Sequence, residues 1–331
     1  MISRPILILA TCLLAGCTSL MPALPTPTDS ATAFPPSQTL TPIPSRTASP
    51  TMTATNAPQA APTPTWVVQG PDAIKVPILL FHHIAVSPIG SRYYVPPDKF
   101  DSELKLLHDW GYTTITTTML IQAIVKGASL PPRPILLTFD DGNEDNYINA
   151  FPIMQKYGFT GVLYIVVQYT DTPNYLTTDQ IREMAAAGWE VGSHSETHRD
   201  LLGDPEALRY EIVQSRKDLQ SMLGLPILTF AYPFGSEDSA ADDYVHFAGY
   251  IAAMGASGYS WDQGKGNLFV LQRCEIKGSD DAKSITRFLP WIGDPSFLPT
   301  DTATPTSTSS RTPIPTYTQY PTRTPRVSST P

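Results

Sequence analysis

Cysteine is nearly absent from this 331-residue chain, which has three, at positions 12, 17 and 274. Two of them fall within the first seventeen residues, so Cys274 stands alone in the body of the protein. No internal disulfide can staple the fold, and stability must come from a packed core. Cys274 sits in an apolar, alternating segment and reads as a small core residue. Basic charge is scarce too: 22 Lys and Arg face 30 Asp and Glu, a net charge of −8. Setting aside the two ends, residues 67–297 carry −11. An acidic body without a basic patch argues against nucleic acid and polyanionic substrates. The apolar run near the start is too short to span a bilayer as a mature helix. Histidine is rare as well, six in all, and four of them fall in two short stretches.

The ends are readable by composition. Residues 1–17, "MISRPILILATCLLAGC", carry one positive charge at Arg4, an apolar run and then "LAGC". That is the layout of a secretory signal. "LAGC" resembles the bacterial lipobox, which implies cleavage before Cys17 and its lipidation. The expectation is an exported lipoprotein, anchored to a membrane at the cell surface or envelope. Residues 18–66 form a Pro/Thr-rich linker and 298–331 a Pro/Thr/Ser-rich tail; together they hold 18 of the 34 prolines. Neither shows a hydrophobic period, so neither can bury enough apolar surface to offset chain ordering, and both are expected to be disordered. What remains, 67–297, suits one catalytic domain, expected to be monomeric.

Within 67–297, short apolar runs alternate with helical patterns about seven times. "VPILLFHHI", "PILLTF", "FTGVLYIVV", "WEVGSH", "PILTFAYPF", "IAAMGAS" and "LFVLQRCEI" read as strands. Between them, 98–111 places Phe100, Leu104, Leu107 and Trp110 at helical spacing, and 119–127, 177–188 and 204–224 are further helices. "NEDNYINAFPIMQKYG" reads as a helix with a proline kink, and "DAKSITRFLPWI" as a last helix. Strand–helix alternation predicts an α/β fold, a parallel sheet closed or nearly closed into a (β/α)7-type barrel. In such barrels chemistry gathers at the C-terminal ends of the strands.

Three stretches place polar residues there. "LLTFDDGN" runs a buried strand into Asp140 and Asp141, adjacent carboxylates that repel unless a cation sits between them, or that form an Asx turn. "VGSHSETHRD" sets His194 and His198 four apart, on one face if the segment turns helically, a spacing that suits a divalent metal with a carboxylate as third ligand. "LTFAYPFGSE" ends a strand in Tyr232, Pro233, Phe234 and Gly235, a tight turn whose N–H groups can face the barrel mouth. Trp261 and Asp262, in "GYSWDQG", lie in a polar loop and are candidates to line a substrate groove beside Tyr232 and Pro233.

"TFDDG", "SHSETH" and "YPFG", in this order, resemble the polysaccharide deacetylase family, the NodB-homology or carbohydrate esterase family 4 domain. The resemblance covers 76–290. It implies a distorted barrel of about seven strands, a divalent metal, usually Zn2+, and hydrolysis of acetyl groups on an N-acetylated polysaccharide. By position it makes Asp140 the general base and Asp141, His194 and His198 the metal ligands. Phe234 takes the place of the residue whose backbone N–H helps form the oxyanion hole. The chain departs from the commonest pattern twice. Ala231 stands where an arginine tethers the base, and no histidine follows in "LFVLQRCEI" to act as general acid. Arg273, on the strand face of Leu271, can replace the first. "FHHI" can supply the second, as in the branch that deacetylates poly-N-acetylglucosamine, which makes His82 the acid with Phe81 in place of a tyrosine. His83 then points to the opposite face and is structural or supporting. Two other readings remain: an O-acetyl esterase of the xylan type on the same scaffold, and a glycan-binding protein without catalysis.

Overall fold

The computed structural model describes residues 65–293, apart from 203 and 257. The expected signal segment with Cys17, the linker up to residue 64 and the tail from 298 lie outside these residues. Among the described residues no helix is long and apolar enough to cross a membrane.

Seven short strands make the main path of the central sheet, with an eighth, Thr113–Thr114, paired parallel to the start of the second: β1 (Ile78–Phe81), β2 (Pro134–Phe139), β3 (Val162–Ile165), β4 (Glu190–Ser193), β5 (Thr229–Ala231), β6 (Ala252–Met254) and β7 (Cys274–Glu275). Their order is β6-β5-β4-β3-β2-β1-β7, every neighbouring pair parallel. The sheet curls until its edges approach: a parallel bridge joins Met254 of β6 to Leu271, three residues before β7. The expected barrel is therefore present as a distorted, barely closed one.

Because side chains alternate along each strand, every strand feeds two cores. Leu79, Phe81, Phe139, Leu163, Ile165, Val191, Phe230 and Tyr232 belong to the layer packed under the helices. Ile78, Leu136, Val162, Tyr164, Ala231, Ala252 and Met254 fill the barrel interior. Gly192 on β4 has no room for a side chain, since a Cβ there would lie 2.4 Å from the Tyr164 ring. The helices are α1 (Pro97–Asp109), α2 (Thr117–Lys126), α3 (Phe151–Lys156), α4 (Thr178–Ala186), α5 (Ser215–Leu223) and α6 (Ser239–Ala248). Thr116 caps α2, and Thr177 with Gln180 forms a capping box on α4.

Two expectations need correction, and a third takes a more particular form. "DAKSITRFLPWI" yields only a 3-10 stretch, Ser284–Phe288, after which Leu289, the residue before Pro290, is extended. "LFVLQRCEI" narrows to two strand residues in β7. The expected proline-bearing helix is one continuous helical run, π-helical over Asn146–Ala150 and α-helical over Phe151–Lys156, and its irregular stretch ends two residues before Pro152.

Candidate active site

Parity along the strands decides what faces the barrel mouth. Ile78 and Leu136 point inward, so two steps of two place His82 and Asp140 on the inner side at the C-terminal ends of β1 and β2. Asp140 is buried and held by a bidentate pair, Arg273 Nη1 to Oδ1 at 2.7 Å and Nη2 to Oδ2 at 2.8 Å. Arg273 is itself buried, donates from Nε to Gly255 O and lies over the Tyr164 ring. Burial alone would raise the Asp140 carboxyl, but the Arg273 charge and nearby histidines outweigh it and hold it below the usual carboxylate range.

After Asp140 the chain turns sharply, with Asp141 and Gly142 both in the left-handed region, at φ 73° and 78°. That turn brings Asp141 Oδ1 within 3.5 Å of His194 Nε2 and 3.3 Å of His198 Nε2. His194 directly follows β4 and is buried; its Nδ1 lies 2.8 Å from Ala231 O. A carbonyl only accepts, so Nδ1 carries the hydrogen and Nε2 offers a bare lone pair to the site. Burial, the largest influence, holds the His194 pKa down and keeps the ring neutral.

His198 does not share a helical face with His194. Ser195 and His198 both adopt left-handed φ, 73° and 61°, so a loop, rather than a helical turn, brings the two rings to 4.9 Å. The loop is held from behind: Ser195 Oγ accepts His198 N, and Glu211 accepts from the backbone N–H of Glu196 and Thr197 and from the Thr197 hydroxyl. Glu211 lies in a π-helical stretch, Arg209–Gln214, a helix irregularity of the kind that re-aims side chains.

Asp141, His194 and His198 each offer a ligand atom, and these atoms lie within 4.8 Å of one another. The donor set fits a divalent ion on two grounds. Asp141 Oδ1 is buried without a hydrogen bond of good geometry, and His194 has its tautomer fixed by a carbonyl on its far nitrogen, a common arrangement for metal-ligating imidazoles.

Phe234 sits in the turn after β5 with φ 58°; the residue is 67% exposed and its ring centroid lies 4.6 Å from that of His198. His82 is half-buried; its ring lies 4.8 Å from Tyr93 and its Nδ1 is buried without a partner.

Four groove candidates do not line an open groove: two are buried and two lie at the other end of the sheet. Tyr232 is fully buried and packs edge-on against Phe230 under the helices, as the Phe230–Ala231–Tyr232 alternation requires. Pro233 is buried in the turn it shapes. Trp261 and Asp262 pair with the segment leading into β1: Val76 N donates to Trp261 O, and Asp262 aligns with Lys75. That is the N-terminal end of β1, roughly 20 Å of strand away from His82. In their place the structure brings Tyr169 and Tyr175, their rings tilted by 40° with centroids 4.5 Å apart; burial raises both phenols, and the Asp141 charge adds to it in each. Their loop is tied to the aspartate turn through Leu176 N to Gly142 O and Glu144 N to Asn174 O. No local motif marks these tyrosines, since only the tertiary contact between the loops places them.

Comparison with known proteins is consistent with this geometry. A family model described as polysaccharide deacetylase matches residues 127–253. YxkH of Bacillus subtilis (strain 168), which bears the polysaccharide deacetylase name, is 31% identical over 207 residues, 61% of this chain and 71% of that protein. A poly-beta-1,6-N-acetyl-D-glucosamine N-deacetylase of Staphylococcus aureus (strain MRSA252) is 26% identical over 161 residues, 44% of this chain. The match spans only 54%, about half, of the staphylococcal protein's length. Among solved structures, the Streptococcus pyogenes deacetylase PplD in complex with acetate superposes with a TM-score of 0.60 at 25% identity, covering 65% of this chain and 98% of that one.

Proposed function

This chain belongs to the polysaccharide deacetylase family, and on that premise we propose that it hydrolyses N-acetyl groups from an extracellular or cell-envelope polysaccharide containing N-acetylglucosamine. The observation that carries the reading is a buried carboxylate, Asp140, clamped by Arg273 beside three convergent metal-ligand atoms. The staphylococcal relative's name supports the glycan class. Acetate in the PplD complex is the product such a reaction releases.

Asp141, His194 and His198 would hold a divalent ion, Zn2+ in our reading, which supplies a Lewis acid for the carbonyl and a water acidic near neutral pH. Asp140 takes a proton from the attacking water at Oδ2, the oxygen 3.7 Å from His194 Nε2. Arg273 keeps that carboxylate ionised and fixes its plane. Phe234, in a left-handed turn after β5, would donate its backbone N–H to the developing oxyanion. His82 returns a proton to the leaving nitrogen as the C–N bond breaks, giving acetate and a free amine.

Acetate release from N-acetylglucosamine oligomers, with acetylated xylan in parallel, tests this. Asp140→Asn should lower release by about 10²–10⁴-fold. Release unaffected by that change sinks the reading, and release from the xylan alone moves the substrate to an O-acetyl ester. We also infer that the domain works outside the cytoplasm on a lipid tether at Cys17, supported by "LAGC" and the charge layout of 1–17. Labelled palmitate should enter the wild-type chain and not Cys17→Ala; equal labelling of both refutes the tether.

A further inference from the structure

The two adjacent histidines of "FHHI" have separate partners. His83 Nδ1 meets Asp145 Oδ2 at 2.6 Å, and its ring stacks on Tyr94 at 3.9 Å with planes 10° apart. His82 lies against the preceding tyrosine, Tyr93. The pairing is built into the backbone: His83 and Tyr94 form a parallel bridge, with His83 N donating to Tyr93 O and Val95 N to His83 O. Neighbouring histidines are thus backed by neighbouring tyrosines.

A second set of contacts joins the same segment to the aspartate turn. The other oxygen of Asp145, Oδ1, accepts the Ile84 N–H at 2.9 Å. Asn146 Nδ2 donates to His82 O at 2.9 Å and Asn149 Nδ2 to Ile84 O at 2.8 Å. Asn143 Nδ2 reaches both His82 O, at 3.3 Å, and Asp140 O, at 3.5 Å. All four side chains come from the run that follows Asp140 and Asp141, and its π-helical stretch, Asn146–Ala150, carries two of them. Asp145 grips residue 83 by its side chain and residue 84 by its backbone, so the segment can neither slide nor rotate without breaking both contacts. By contrast His82 has no hydrogen bond to its buried Nδ1. Its ring is steadied only by the tilted Tyr93 contact and the backbone beneath.

We propose that Asp145, His83 and Tyr94 form a positioning unit that sets where His82 stands relative to Asp140 and the three metal-ligand atoms. The unit acts through the backbone of residues 82–84 and does not touch substrate. The proposal rests on the reading of His82 as the proton donor. Its chemistry is simple: a short charge-assisted hydrogen bond and a parallel stack make one histidine rigid so that the next can be unencumbered.

The test uses the full chain, with kcat and KM on N-acetylglucosamine oligomers and bound metal measured together. His83→Ala and Asp145→Asn should each lower kcat by about tenfold or more, with KM and metal content unchanged. His83→Asn, which keeps an N–H donor facing Asp145, should recover most of the loss. Wild-type kcat in both His83→Ala and Asp145→Asn overturns the proposal. So does activity that survives His82→Ala but not His83→Asn, which makes His83 the proton donor. Asp145→Asn retains the acceptor for Ile84 N and so guards against a variant that merely misfolds. If the wild type releases no acetate from any glycan, the function reading fails instead. The positioning claim is then read from imidazole 1H–15N spectra: His82 signals should shift in His83→Ala and Asp145→Asn while those of His194 and His198 hold. An unmoved His82 overturns it.

Discussion

Asp140 and Arg273 are the two charges most deeply committed to the site, with side chains 3% and 0% exposed. Burying both is tolerable only because two parallel N–H···O bonds satisfy the carboxylate and Gly255 O takes the remaining Nε–H. Removing one partner strands the other. Arg273→Met should cost about 3–5 kcal/mol of unfolding free energy, and adding Asp140→Asn should return part of it by removing the stranded charge. A denaturant double-mutant cycle reads that coupling, and additive effects would refute it. The pair was half legible in the sequence. Asp140 announces itself by leaving an apolar strand, and Arg273 shares the face of Leu271. No local pattern, however, says that an arginine just before β7 reaches past β1 to a carboxylate just after β2. The small Ala231 gives His194 its carbonyl and leaves the arginine's task to another strand.

At the scale of elements, strand parity was the informative signal. It puts His82 and Asp140 inside and His83 and Tyr232 outside, and the same rule would have kept Tyr232 out of the groove. Loops escape such rules, which is why the left-handed turns at Ser195 and His198, and the tyrosines at 169 and 175, were not legible. Helix α1 holds a further exception. Its buried stripe, Phe100, Leu104 and Leu107, includes Glu103, 1% exposed with both carboxylate oxygens unpartnered. Burial, and then the Asp280 charge, push the Glu103 carboxyl up to about 8. An unfolded glutamate titrates near roughly 4.3, so between those values the folded chain binds more protons, and stability falls as pH rises through that window. Glu103→Gln should therefore raise stability at pH 9 by up to a few kcal/mol and change little at pH 4. Urea midpoints at the two pH values check this; an equal shift at both would show that Glu103 is not held neutral.

Across the whole molecule, what folds the chain and what equips it for chemistry are separable. Two apolar layers, one inside the barrel and one under the helices, run the length of the sheet. The candidate metal ligands occupy two loops at one end, after β2 and β4. Those loops are also held by contacts within the protein, from Glu211 and Ser195 behind the histidines and from Leu176 N on the aspartate turn. A chelator should therefore abolish acetate release while far-ultraviolet circular dichroism stays unchanged. An ion present at about a thousandfold its Kd adds roughly 4 kcal/mol, so its removal should lower Tm by roughly 10 °C for a domain of this size. Restoring the ion should return both activity and Tm, and His198→Ala should melt like the chelated wild type whether or not ion is supplied. Collapse of the circular dichroism on chelation would show that the ion holds the fold itself, and an unchanged Tm with full activity would remove the ion from the mechanism.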